Sequence, residues 1–340
     1  MPIIPPGLLS DLTSMSPIYR SSANWWNMEV VDAPIDSQNA TIKAQIIVNG
    51  TPVGGTPDPK YARLHPDFGV NFGIPYCVVT KDTPRESIVW TNDPANNGSA
   101  SPPFEWDTGF GGYEGYPIPV AARTNCAYME NCEWKNTPGR TGDAHILMLQ
   151  RDDWWLYELS YAGWNDPKWP GRWYAGYGAI WDLKRNDVRP RGFTSTDAAG
   201  LQILPGIPRT DEVLGPDPIR HALRCSIKKV AGYVWPATHT GSSDPTGHPC
   251  GMRFRLKQSK NITGYPTPVR KILQAMKTYG LIVADRGGNM YIQGTMDPNW
   301  GPIDPYITAF HGITINDFDV IRRGWSPPGM VGVGKTQVSV

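Results

Sequence analysis

Glu158 and Asp182 lie in the segment of this 340-residue chain best suited to chemistry. Between Asp153 and Asp182 stand ten aromatic residues: Trp154, Trp155, Tyr157, Tyr161, Trp164, Trp169, Trp173, Tyr174, Tyr177 and Trp181. A flat ring stacks on the apolar C–H face of a pyranose, and neighbouring carboxylates hydrogen-bond its hydroxyls, so this composition suits a sugar-holding surface. Glycoside hydrolysis needs two carboxyl groups, one a proton donor of raised pKa and the other a nucleophile or base. Glu158 and Asp182 are the expected pair, on adjacent predicted strands. Asp197, in the apolar setting STDAAGL, is the reserve. The expected groove is floored by Trp154, Trp164, Trp169, Trp173 and Trp181. The competing reading is that a Trp/Tyr-rich segment of a β protein is simply core.

Two further sets carry possible chemistry. In His65-Pro66-Asp67 the His and Asp are two apart, so on an extended chain they share a face and can orient one another, join a substrate site or bond loop backbone. Arg220, His221 and Arg224, with Arg253, Arg255 and Lys257 on one strand face, can receive an acidic sugar, His and Tyr then serving as base and acid in β-elimination. His239 joins His221 and Arg224 as a candidate substrate contact. His145, His221 and His239 on predicted strands also allow a His-ligated metal ion, though no spacing demands one and no cofactor is expected. GMVGVGKT (329–336) matches the phosphate-loop pattern, but only QVSV follows, with no helix to hold phosphates, so no nucleotide is expected.

The elements that must position these residues are mostly strands. TIKAQIIV (41–48), GIPYCVVT, ESIVWT, AHILMLQR, WWLYELSY, RWYAGYGAIWDL, HALRCSIKK, GYVWPATH and GMRFRLK all read as strands, with LIVADRGGNMYIQG as a hairpin across Arg286–Asn289. One amphipathic helix is expected at about 267–279: Thr267 caps it, Pro268 starts it, Val269, Ile272, Leu273 and Met276 form its buried stripe, and Gly280 stops it. Many close-spaced strands without βαβ alternation predict an antiparallel β-sandwich or jelly roll with that helix packed on it. The expected organisation is an extended N-terminal arm (1–40), a single β-rich domain (41–325) and a disordered tail (326–340), with a long loop at 92–143.

Net charge is +1, without a basic stripe, so nucleic acid is not an expected partner. No apolar run is long enough to span a bilayer. The first residues carry no signal peptide, and low charge with many Trp and loop residues favours a mature extracellular form. Of the five cysteines, Cys126 with Cys132 and Cys225 with Cys250 are possible disulfides, leaving Cys77 as the odd thiol.

HPDFG, GIPY, YPIP, LYEL, GAIWDL, TSTDAAGLQILPGIPRTDEV, IRHALR, YVWPATH, GMRFRLK and KTYGLIVADRGGNMYI together resemble a family of uncharacterised bacterial extracellular proteins, over about residues 60 to 320. The DAAGLQILPGIPRTDEV string is the most specific. This chain departs from the pattern in extra Trp and Cys and in its Gly/Pro-rich tail. The resemblance implies secretion and one coherent domain, and supplies no catalytic residue. The leading expectation is an extracellular glycoside hydrolase acting on a polysaccharide. The alternatives are a non-catalytic glycan-binding or cell-surface protein and a polysaccharide lyase using the His/Arg/Lys set.

Overall fold

The structure is a computed structural model in which residues 24–91, 115–130, 143–186 and 188–327 are described. Most of the expected arm and tail, most of the 92–143 loop, Cys132, the Cys126 side chain and GMVGVGKT lie outside the described residues. The fold is mainly β, as expected. Its sheets mix parallel and antiparallel pairings, where a wholly antiparallel sandwich was expected. Parallel neighbours need long crossovers, and these strands have them: the partners of each parallel pair in the larger sheets are separated by other elements.

The chain forms two compact units. The first holds described residues within 68–184 and 295–298. With strands numbered along the whole chain, its larger sheet runs β2 (Tyr76–Val79), β4 (Ile146–Gln150), β5 (Trp155–Ser160), β8 (Tyr177–Asp182). A smaller sheet runs β3 (Ile88–Trp90), β7 (Trp173–Ala175), β6 (Gly163–Trp164). The β4–β5 hairpin turns through 151–154, where Trp154 takes the left-handed conformation at φ 61. Strand β4 is buried along its whole length. Its Ile146 and Met148 join Tyr157, Leu159, Trp173 and Cys77 in one core, each large apolar side chain contributing about 1.5–3 kcal/mol on burial.

The second unit holds described residues within 24–67, 185–294 and 299–327. Its six-stranded sheet runs β1 (His65–Asp67), β14 (Tyr291–Gln293), β9 (Leu223–Ile227), β13 (Leu281–Arg286), β12 (Arg253–Leu256), β15 (Phe318–Val320). Strands β10 (Val230–Tyr233) and β11 (His248–Cys250) pair separately. Strand β9 stands between β13 and β14, so the expected hairpin across Arg286–Asn289 is instead a crossing over the end of β9. Gly287 N–H donates to Ile227 O at 3.0 Å, and Ser226 Oγ–H donates to Gly288 O at 2.7 Å, tying down that crossing.

The expected helix is present at Thr267–Thr278, burying Val269, Ile272, Leu273 and Met276. Thr267 lies inside it rather than capping it; Pro266 is the cap residue. Gly280 ends the turn at φ 80, which only glycine adopts without strain. TIKAQIIV is not a strand: it lies in the helix Asn39–Gly50, with Ile42, Ile46 and Asn49 on the buried face. Residues four apart satisfy both the strand and the helix period, and here tertiary packing decides.

Of residues 1–40, the described part is clamped onto the second unit. Trp25 and Trp26 are fully buried. Arg253 donates to Trp25 O at 2.6 Å and Met28 O at 3.3 Å; Arg255 donates to Val30 O at 2.7 Å, to Ala33 O at 3.1 Å and to Val31 O. Cys77, Cys225 and Cys250 are free and buried, so the possible Cys225–Cys250 disulfide is not formed. Burial pushes the Cys77 and Cys250 thiols up to about 12, which makes them poor nucleophiles.

Candidate functional site

The aromatic segment forms the core of the first unit. Residues in register across a sheet share a face, and faces alternate along each strand. Glu158 pairs with Ala179, and Asp182 pairs with Trp155. Glu158 therefore shares a face with Leu156, Ala179 and Trp181, while Asp182 lies on the other face with Trp155, Tyr157 and Ile180. Glu158 is fully buried and accepts a hydrogen bond from Trp181 Nε1 at 3.1 Å. Asp182 Oδ1 accepts the Lys184 N–H at 2.9 Å in the turn after β8. Two carboxylates on opposite faces of one sheet do not flank one glycosidic bond.

The five expected groove tryptophans do not share one open surface. Trp173 and Trp181 are buried, and Trp154, Trp164 and Trp169 are half-buried. Trp164 packs on Trp173 with ring centroids 5.4 Å apart and lies under the Arg123 guanidinium at 4.3 Å. Trp169 packs on Tyr174 at 5.2 Å.

In the second unit, Asp197 is buried against Arg224 at 3.4 Å and accepts the Ala199 N–H at 3.1 Å. His239 Nδ1 meets Ala198 O at 2.9 Å. His221 sits between Glu212 Oε1 at 3.0 Å and Ala222 O at 2.8 Å. Both ring nitrogens of His221 thus face oxygen atoms. Arg209 donates to Glu212 at 3.0 Å. Burial pushes the Glu212 carboxyl up, but the Arg209 and His221 charges and the hydrogen bonds outweigh it and hold it near 2. The expected basic face is engaged as well: Arg253 and Arg255 hold the N-terminal segment, and Lys257 Nζ donates to Asn316 O at 2.7 Å. His145 pairs with Glu130 in the first unit at 2.6 Å. Among the described residues no group of three or more His, Cys, Asp and Glu side chains is placed to hold a metal ion.

His65 lies in a different setting. The run Arg63-Leu64-His65-Pro66-Asp67 alternates half-buried and buried. Leu64 is fully buried, and its N–H donates to Ile313 O at 2.8 Å, which anchors the chain at the sheet edge. The alternation turns Arg63 and His65 to the same side. Strand β1 pairs in parallel with β14, placing His65 directly opposite Tyr291. The two rings stack at 4.3 Å with 19° between their planes. His311 adds a third ring, 5.5 Å from His65 and tilted.

Arg63, His65 and Tyr291 line a cavity of about 440 Å³, with Gly50, Lys60, Tyr61, Lys228, Gly287, Gly288 and Asn289 completing the described wall. That volume lies within the range of ligand sites. Among the described residues no carboxylate lines it. Lys60 is held by Asp58 at 3.2 Å, whereas neither Arg63 nor Lys228 has an ion-pair partner among the described residues. Asp67 Oδ1 is 3.3 Å from His65 Nδ1, yet this buried nitrogen has no hydrogen bond, so the contact is a misaligned electrostatic one. Burial, then Asp67, raise the Tyr291 hydroxyl above its ordinary pKa against the opposing pull of Arg63. Burial, with Arg63 and His65 beside it, lowers the pKa of His311.

Asn289 braces the wall. Its Nδ2 donates to Ile46 O at 2.9 Å and Tyr61 O at 3.0 Å, and its Oδ1 accepts the Lys228 N–H at 2.8 Å. Gly288 lies against Tyr291 so closely that an added Cβ would fall 2.2 Å from the ring. Chemically, the cavity offers cations and ring faces to an anion that carries an apolar surface. Sequence reasoning marked His65 and Asp67 but missed Arg63, Lys228 and Tyr291; the Arg-Leu-His alternation was the available signal for Arg63.

Comparison with protein-family models, with curated proteins and with solved structures gives no match. No described helix is long and apolar enough to cross a membrane.

Proposed function

We propose that this chain is an extracellular protein that acts on an acidic polysaccharide, gripping an anionic sugar residue in the His65–Tyr291 pocket. The observation that carries this reading is the pairing of Arg63 and Lys228, free of carboxylate partners among the described residues, with the Tyr61 and Tyr291 rings in one cavity. A uronate has the matching chemistry: a carboxylate for the cations and a C–H face for a ring. Polysaccharide remains the partner class, but hydrolysis by Glu158 and Asp182 has no support in a geometry that puts them on opposite faces.

The test is retention of the full chain on immobilised acidic and neutral polysaccharides at increasing salt. Retention is expected on the acidic ones alone, weakening with salt as exposed charges are screened. Arg63→Ala and Lys228→Ala should each weaken it about tenfold, roughly 1.4 kcal/mol. Equal retention on neutral chains, unchanged retention by both variants, or complete release by dilute inorganic phosphate would each overturn the reading, the last by marking a phosphate site.

A further inference from the structure

Resting on that reading, we propose that the pocket cleaves the chain it holds by syn β-elimination, with His65 as base and Tyr291 as acid, at a 4-linked D-glucuronate or D-mannuronate. Elimination from a uronate needs three things: a cation on the C6 carboxylate to acidify the C5 hydrogen, a base for that hydrogen, and an acid for the departing O4. Arg63 and Lys228 supply the first. His65 and Tyr291 supply the others, both lining the same cavity.

The step balances without any further reagent. His65 Nε2 takes the proton from C5. The C5–H electron pair becomes the C4=C5 double bond. The C4–O4 bond breaks, and its pair goes to O4, which takes the Tyr291 hydroxyl proton. One chain ends in an unsaturated uronate and the other in a free hydroxyl. Passage of the proton from His65 to the tyrosinate through solvent restores the site.

The assignment of base and acid follows from the surroundings. His65 Nδ1 is buried toward Asp67, which leaves Nε2 for substrate. Tyr291 carries its proton at neutral pH as an ordinary tyrosine does.

The stereochemistry follows from the register. His65 and Tyr291 are direct cross-strand partners with near-parallel rings 4.3 Å apart, so they approach a bound sugar from one side. A one-sided pair removes hydrogen and leaving group from the same face of the ring. In D-glucuronate and D-mannuronate H5 and O4 lie on the same face; in D-galacturonate and L-guluronate they lie on opposite faces.

The experiment incubates the full chain with a glucuronate-containing polysaccharide, mannuronate-rich alginate, guluronate-rich alginate and polygalacturonate. Reducing ends and the ultraviolet absorbance of unsaturated ends are read together, with retention on each immobilised chain measured in parallel. The expected result is equal growth of both signals on a glucuronate or mannuronate substrate and none on the other two. Tyr291→Phe, which keeps the ring stack, should lower the rate on the order of 100-fold or more while sparing retention. His65→Asn should lower the rate as far. Retention without absorbance, reducing ends without absorbance, preference for galacturonate or guluronate, or full activity in Tyr291→Phe would each overturn elimination and leave the binding reading standing. Absence of retention on every acidic chain would overturn both.

Discussion

Gly288→Ala isolates the link between one backbone position and the pocket. The added Cβ would lie 2.2 Å from Tyr291 Cε2, 2.3 Å from Cδ2 and 2.8 Å from Cζ, where ordinary contact begins at 3.4 Å. Ring and turn must therefore separate by more than an ångström. Gly288 is not among the glycines with positive φ, so the substitution adds no backbone strain and acts through the ring alone. Tyr291 cannot retreat freely, because His65 is stacked at 4.3 Å. Overpacking of this kind costs about 1–3 kcal/mol, and the exposed turn favours the lower end. A displacement of about 1 Å at a reacting group costs on the order of 100-fold in rate. The assay compares urea midpoint, retention on acidic polysaccharide and appearance of unsaturated ends. The expected variant is folded, slightly less stable and severely impaired at the pocket. Gly287→Ala is the comparator, since its Cβ would meet only Ser226, at 3.0 and 3.2 Å; it should be impaired much less. A Gly288→Ala protein with wild-type retention and rate, or a Gly287→Ala protein as damaged as it, would refute the reasoning that Gly288 sets the Tyr291 ring.

Two further predictions concern stability. Arg255→Met removes the donor to Val30 O, Val31 O and Ala33 O and leaves Asp319, 3.3 Å away, unpaired. Breaking a buried pair of this kind costs about 3–5 kcal/mol, and hydrogen exchange should show residues 25–33 losing protection; unchanged exchange there would contradict the clamp. Glu212 has its carboxyl pKa held near 2 in the folded chain, below its unfolded value. Its contribution, roughly 3 kcal/mol, is full above about pH 4.5 and lost as pH falls toward 2. Denaturation midpoints across that window should fall less steeply in Glu212→Gln than in the parent, and parallel curves would remove Glu212 as the cause.

The helix Thr267–Thr278 was legible because its apolar residues fit a single helical stripe, with proline at the start and glycine past the end. The helix Asn39–Gly50 was not, since Ile42 and Ile46 fit either period and the surrounding β-branched residues favour a strand. Strands β4, β5 and β8 were also legible, as was the side of β5 that carries Glu158. The face of Asp182 was not: it depends on Glu158 standing opposite Ala179, and a slip of one residue would have brought the two carboxylates together. The pocket was half legible. HPD marked one wall, but Tyr291 reaches His65 only through a parallel pairing between segments far apart in the chain, for which no local pattern exists. Arg253 and Arg255 were read correctly as one strand face, yet the partners that occupy them come from a segment read as an arm.

The treatment of cations in the second unit separates scaffold from site. Arg253 and Arg255 are buried and turned onto backbone carbonyls; Arg209 and Arg224 are buried against carboxylates. Each satisfies the requirement that a charge leaving water find an acceptor. Arg63 is half-buried beside His65, and Lys228 lines the same cavity, with no acidic side chain among its described lining residues. Stability alone would favour an Asp or Glu there, as Asp58 serves Lys60. The turn that forms the wall is instead built from Gly287, Gly288 and Asn289, and the amide of Asn289 is committed to Ile46, Tyr61 and Lys228 backbone. The pocket is thus braced by a neutral residue, and Arg63 and Lys228 keep no carboxylate partner among the described residues. A ligand that neutralises Arg63 and Lys228 should therefore stabilise the folded chain in proportion to its affinity, and a uronate oligosaccharide should raise the unfolding midpoint where a neutral sugar of the same length does not.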